Sequence, residues 1–347
     1  MMETKYKYTP ELPEEFKCKV PLPGTVQAFV TNGVLRGGVE IDGGVSVFAK
    51  SQNGFTYEAA KESNCKESLQ IISFRDSNST QDISFENDLL FRKGSDSSIL
   101  LCTHTLSLDK FKTEEVVNID VEEGAKANIV VMQNEHNASE HKVTFRLNIA
   151  ADAHIQINVI ILHGAILENN FEVNINGEHS FCDLNGLYLV DGKQSVVTNI
   201  TMNHLVPNCS SNQLFKGILD DTSKAMFTGR IVVSRDAQKT EAFQSNHNLL
   251  ISPKAKVYTR PQLEIYADDV KCTHGATSGI MDQEALFYMR SRGIGEHEAK
   301  LLQQLAFVYD VLEKIDNDRL RQRLNDLIES RLRGEFSHCT NCSMNCC

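Results

Sequence analysis

From about Thr25 to about Ala267 the chain reads as a long succession of short strand-like runs, rich in Val, Ile, Phe and Thr and broken by small polar turns. Runs such as Ala127-Asn128-Ile129-Val130-Val131-Met132 and Phe171-Glu172-Val173-Asn174-Ile175 recur with no helix-length amphipathic segment between them, which excludes a βαβ arrangement. Alternation is clear at Ile155, Ile157 and Val159, which point one way, while Gln156 and Asn158 point the other.

The turns add a second period. Small polar clusters recur at Glu123-Gly124, Ala151-Asp152, Gly177-Glu178, Asp191-Gly192, Asp221-Thr222, Asp236-Ala237 and Ser252-Pro253, and their starts are 28, 26, 14, 30, 15 and 16 residues apart. Steps of one length or its double suit a coil whose rungs stack on one another, a β-solenoid. A sandwich or jelly roll turns more often and less regularly, and stands as the alternative.

After about Met281 the period becomes helical. Asp282 is placed to cap a short helix running through Met289, and Gly293 to end it in a left-handed turn. A second helix is expected from Gly295, with Leu302, Leu305, Tyr309 and Leu312 as its apolar stripe. A third, from about Asp318, carries Leu320, Leu324, Leu327 and Ile328 on one side and five arginines mostly outside that stripe. The predicted organisation is an N-terminal extension over 1–24, a β core over 25–280, a helical domain over 281–334 and a Cys-rich tail over 335–347.

Composition narrows the function. A formal net charge of −11 disfavours a broad electrostatic grip on nucleic acid or anionic lipid. No stretch approaches the roughly 20 apolar residues of a membrane-spanning helix, and the opening residues lack the apolar core of a secretory signal, so the chain is expected in the cytoplasm with reduced thiols. Neither GxxxxGK(S/T) nor GxSxG nor HExxH occurs, so no P-loop nucleotide site, serine nucleophile or zinc-peptidase site is expected.

The densest cluster of reactive residue types in the body is Asp268-Asp269-Val270-Lys271-Cys272-Thr273-His274-Gly275-Ala276-Thr277. Cys272 and His274 are two apart, so on a strand both side chains leave the same face, a pairing competent for iron or zinc. The plainer alternative is a packed thiol and a hydrogen-bonded imidazole. A second cluster, from Asn203 to Asn212 with His204 and Cys209, fits structural ladders at solenoid turns.

The stretch from Arg260 to Thr277, followed by Asp282-Gln283-Glu284-Ala285-Leu286-Phe287-Tyr288-Met289-Arg290-Ser291-Arg292-Gly293-Ile294, closely resembles the signature of the SufB/SufD family of iron–sulfur cluster assembly proteins. Gln244-Ser245-Asn246-His247-Asn248-Leu249-Leu250 and Ser252-Pro253-Lys254-Ala255 fit the same family, and Gly275 after the histidine resembles the SufD branch, where SufB-like chains tend to carry glutamate. The resemblance implies a right-handed parallel β-helix with a helical C-terminal domain. It implies a scaffold rather than an enzyme, paired with a SufB-like subunit and holding a SufC-like ABC ATPase on its helices. It further implies that His274 gives an imidazole to a transient cluster or iron at the subunit interface, with Cys272 in support, and that this chain binds no nucleotide. The isolated chain is compatible with a homodimer. Family members with a helical domain ahead of the β-helix differ here, since strand-like sequence begins near Thr25.

Cys339, Cys342, Cys346 and Cys347 have no counterpart in that motif. They read either as a flexible thiolate arm for iron, zinc or a transient cluster, or as an end with no specific role. A cytoplasmic metal-storage protein using this tail is the alternative function. A β-helix polysaccharide-active enzyme is disfavoured by the absence of tryptophan and of a clear acid pair.

Overall fold

The computed structural model describes residues 5–6, 22, 25–75, 82–105, 111–135 and 138–334. The cysteines of the tail and nearly all of the 1–24 extension lie outside the described residues. The first section contains β1 (Lys5–Tyr6), β2 (Val26–Thr31), β3 (Val34–Leu35), β4 (Val39–Ile41), β5 (Val45–Ala49) and β6 (Phe55–Ala59). The body follows as β7 (Leu69–Arg75), β8 (Ile83–Phe91), β9 (Asp96–Thr105), β10 (Phe111–Val121), β11 (Lys126–Asn134), β12 (Ser139–Ile149) and β13 (His154–His163). It continues through β14 (Ile166–Ile175), β15 (Phe181–Val190), β16 (Ser195–His204), β17 (Ser210–Leu219), β18 (Lys224–Val233) and β19 (Glu241–Leu250), and closes with β20 (Lys256–Ile265) and β21 (Lys271–Ile280).

From β6 and β7 onward successive strands alternate between two sheets, each pairing in parallel with the strand two places on. One coil therefore takes two strands, and equivalent positions such as Ser195 and Lys224 stand side by side. This is the predicted β-solenoid. The two ends differ. At the start β4, β5 and β6 form an antiparallel meander and β3 folds back on β2, so the first coil is closed off. At the other end β20 and β21 are the last strands of their sheets.

The turn period comes from two corners, one of which repeats a single backbone conformation. Glu62, Gly94, Gly124, Asp152, His179, Asn208 and Lys239 all have positive φ, one per coil. Each donates its backbone N–H to a carbonyl of the next coil, as from Gly124 to Ala151 and from Asp152 to Glu178. The left-handed conformation is costly for side chains other than glycine, and the small polar residues at this corner tolerate it best. Outside the corners, Asn203 donates to Asn174 Oδ1 at 2.9 Å and Asn174 to Asn148 Oδ1 at 3.4 Å, an asparagine ladder along the outer face.

The lumen is filled by alternate residues from both sheets, including Ile155, Ile157, Val159, Phe171 and Phe227. Phe145 and Phe171 stack with centroids 4.7 Å apart. The opposite face of the second sheet is buried as well, because the helices fold back over it. These are α1 (Gln283–Ser291), α2 (Glu296–Leu312) and α3 (Asp318–Leu332). Ala299, Val308, Val311 and Leu312 of α2 and Leu320, Leu324 and Ile328 of α3 share an apolar layer with Val130, Ile160, Leu187 and Ile218 of the sheet. Caps follow the sequence: the Asp282 carboxylate accepts from Glu284 and Ala285 N–H, and Gly293 has φ +88°. The stripe of α2 follows in part: Leu312 is buried in the layer and Leu305 packs against it. Leu302 and Tyr309 are exposed, whereas their neighbours Leu301 and Val308 are buried, Val308 in the layer against the sheet. α2 offers apolar residues on more than one side, and the packing around it selects among them.

Beneath this layer Asn158 and Asn185, neighbours in register on β13 and β15, are fully buried. All four of their side-chain polar atoms are without a hydrogen-bond partner among the described residues. Charged contacts rim the layer: Lys216 to Asp310 at 2.5 Å, Lys314 to Asp183 at 3.5 Å and Arg331 to Asp191 at 3.1 Å.

Candidate functional site at the open end of the solenoid

The cluster singled out in the sequence forms β21, in the terminal coil. Cys272 stands in register with Ala242, and His274 with Gln244. Ala242 and Gln244 are buried in the lumen, so Cys272 and His274 extend two lumen-facing columns to the solenoid mouth. Cys272 is partly buried against the core, whereas His274 is exposed. Burial pushes the Cys272 thiol up, only partly offset by the Ala242 backbone hydrogen bond, so it is a protonated thiol at neutral pH in this state.

Around them the last coil is unusually open. Tyr258, Ile265, Tyr266 and Ile280 are exposed large apolar side chains, and Gly275 and Gly279 have open space where a Cβ would stand. On the outer face of the same strand Thr277 meets His247, with Nδ1 2.7 Å from Oγ1. The His247 pKa is lowered by burial and then by nearby Lys216, against the opposing pull of Asp310.

Below the mouth the lumen turns polar. Asn246 Nδ2 donates to the Tyr188 hydroxyl at 3.3 Å, Tyr188 donates to Asn248 Oδ1, and Asn248 Nδ2 donates to Asn246 Oδ1 at 2.8 Å. Gln244 Nε2 donates to Gln213 Oε1 at 2.8 Å. The sequence carried a signal for this network, namely amides at 244, 246 and 248, every second position of a strand where aliphatic residues would otherwise alternate.

The other candidates have structural surroundings. His204 is fully buried with Nε2 2.9 Å from Ser211 Oγ, and burial pulls its pKa down to about 4, so it is neutral. The Cys209 thiol donates to the carbonyls of Gly177 and Pro207 at 3.1 and 3.2 Å. Cys339, Cys342, Cys346 and Cys347 lie outside the described residues. Among the described residues no group of three or more His, Cys, Asp and Glu side chains is arranged to hold a metal ion.

A buried charged cluster escaped the sequence reading. His141 Nδ1 lies 2.5 Å from Glu135 Oε1 and its Nε2 3.3 Å from Glu115 Oε2, all three residues being buried. Asn87 Nδ2 donates to Glu115 Oε1 at 2.6 Å. Burial alone would depress the imidazole, but the two carboxylates outweigh it and hold the pKa up at about 10. Glu115 and His141 meet only because β10 and β12 are parallel neighbours, so no local motif announces them.

Comparison with known proteins adds an independent line. Residues 75–307 match the family model described as SUF system FeS cluster assembly, SufBD core domain. The chain is 34% identical over 247 residues to the iron–sulfur cluster assembly protein SufD of Escherichia coli K12, covering 62% of this chain and 58% of that protein. It is 31% identical over 232 residues to an iron–sulfur cluster assembly SufBD family protein of Synechocystis, covering 66% and 51%. With the chloroplastic protein ABCI7 of Arabidopsis thaliana it shares 31% over 224 residues, covering 63% and 46%. The matches span about half the length of these relatives.

Proposed function

Since the chain belongs to the SufBD family of the SUF iron–sulfur cluster assembly system, on its SufD branch, we propose that it is a scaffold subunit that pairs with a SufB-like chain and helps hold a nascent cluster between the two. The observation that carries this reading is the asymmetry of the solenoid. One end is closed by antiparallel strands, while the other presents two strand edges and an exposed histidine. Unpaired parallel edges are a template for further strands, and a partner of the same fold would continue both sheets. Exposed Tyr258, Tyr266 and Ile280 supply apolar area for that contact.

His274 then offers one imidazole at the junction. A single ligand cannot enclose an iron–sulfur cluster, which takes four. The rest must come from across the interface, an arrangement suited to a cargo that is built and then released. Cys272, held as a thiol, is the supporting neighbour.

The helical layer is the proposed seat of a SufC-like ABC ATPase. Phe287 and Tyr288 project from α1 with 76% and 58% exposure, and Phe287 and Arg290 border a groove that also includes Leu250, Ile280 and Lys300. Nucleotide chemistry is assigned to that partner and the chain itself to a non-catalytic role. The five described cysteines are all free, which suits a reducing compartment such as the cytoplasm.

The test is reconstitution with a SufB-like chain and the ATPase, following iron and sulfide incorporation. In His274→Ala cluster formation should be lost while the thermal unfolding of the chain is unchanged, because the side chain is exposed. Full incorporation by that variant would remove His274 from the mechanism.

A further inference from the structure

Two of the side-chain amide pairs in the lumen are finished differently. Gln133 and Asn169 exchange both bonds, Gln133 Nε2 to Asn169 Oδ1 at 3.2 Å and Asn169 Nδ2 to Gln133 Oε1 at 2.8 Å. Gln213 and Gln244 make one bond, from Gln244 Nε2 to Gln213 Oε1. Gln244 Oε1 and Gln213 Nε2 are left buried with no partner among the described residues. A buried amide oxygen with no donor loses hydration and gains nothing in return, so such an atom calls for an explanation.

The next residue along the Gln213–Gln244 column is His274, in register with Gln244 one strand on, about 4.8 Å away by the spacing of paired strands. Gln244 is 2% exposed and closely confined: a Cβ added at Gly229 would come 2.2 Å from its Nε2. The amide nitrogen is the end engaged by Gln213, which leaves the oxygen as the free end. Beside His274 on the same face of β21, Cys272 and Ala276 carry no side-chain oxygen.

We propose that Gln244 is a positioning residue for His274, its amide oxygen accepting the proton of one ring nitrogen so that the lone pair of the other is presented at the solenoid mouth. An imidazole that binds a metal commonly donates its second N–H to a fixed acceptor, which sets both tautomer and ring orientation. Gln213 completes the relay from below by anchoring Gln244. This inference rests on His274 being an imidazole ligand, and it requires the exposed His274 ring to turn onto Gln244 Oε1, which has no partner among the described residues; that turn does not need iron and is measurable in the iron-free chain.

The experiment is nitrogen NMR of the full chain labelled at histidine, with the His274 ring signals assigned from His274→Ala, recorded where the imidazole is neutral. The wild-type ring should occupy one tautomer. Gln244→Leu should return it to the mixture of free imidazole, and Gln244→Glu, which keeps an oxygen at that place, should restore the single tautomer. A wild-type ring already in the free mixture would overturn the proposal without any variant, as would a tautomer unmoved in a folded Gln244→Leu. In the reconstituted complex Gln244→Leu should weaken iron retention by about 10- to 100-fold. Loss of assembly in His274→Ala together with an unmoved tautomer would keep the ligand and reject Gln244. The reverse outcome would keep the positioning and reject the ligand.

Discussion

The paired asparagines beneath the helices provide a quantitative test of the packing. Asn158 and Asn185 sit in a register column that reads Val130, Asn158, Asn185, Leu214, so apolar residues flank them on both sides. Asn158→Val with Asn185→Leu would make the column continuously apolar. Each buried amide without a partner costs about 1–3 kcal/mol on the scale of protein substitutions, and removing it recovers that amount. Leucine is larger than asparagine, and overpacking returns some of the gain. The two sites touch, so their effects will not simply add. A net stabilisation of roughly 2–4 kcal/mol is expected for the pair, or about 4–8 °C in Tm at some 2 °C per kcal/mol for a chain of this size. Urea denaturation followed by circular dichroism would read the change as a higher midpoint at unchanged slope. Destabilisation of either single variant by 1 kcal/mol or more would refute the reasoning. It would mean that these amides hold ordered water and that the layer is wetter than its apolar lining suggests.

Further tests address the lumen. The His141 pKa is raised from the ordinary value, so the stability contributed by its charge is fully present below about pH 6.5 and is lost as pH rises through about 10. In Glu135→Gln one of the two carboxylates is gone, so the chain should lose roughly 3–5 kcal/mol and the alkaline decline should begin at lower pH. Urea midpoints across pH 7 to about 10.5 would show it, and identical pH profiles for the two proteins would contradict the assignment. Gly177→Ala should cost about 3 kcal/mol or more, because the new Cβ would stand 1.8 Å from Ala151 N, and backbone at a stacked corner cannot move aside. An unchanged midpoint would show that the corner yields.

Much of this architecture was legible because a solenoid repeats its constraints. The left-handed corner selects Gly124, Asp152, His179 and Asn208 in successive coils, and that recurrence survives in the spacing of turns. The lumen selects Ile155, Ile157 and Val159 in the same way. What the sequence could not convey was the covering of the outer face. Asn158 reads as the solvent side of an alternating strand, yet the helices bury it completely. Leu302 and Leu301 are equally apolar, and only the packing around the helix decides which is inside. The site shows the same division. Cys272 and His274 were visible as a pair two residues apart, whereas the stacking of His274 on Gln244 joins residues 30 apart through strand register alone.

The closed meander at one end of the solenoid has a consequence for stoichiometry. A coil open at both ends would accept a partner at each and grow into a filament. In the proposed assembly the antiparallel strands at the closed end offer no matching parallel edge among the described residues, so edge-to-edge pairing would be complete at two chains. The terminal coil would then form a single interface in each such assembly, with His274 at the junction.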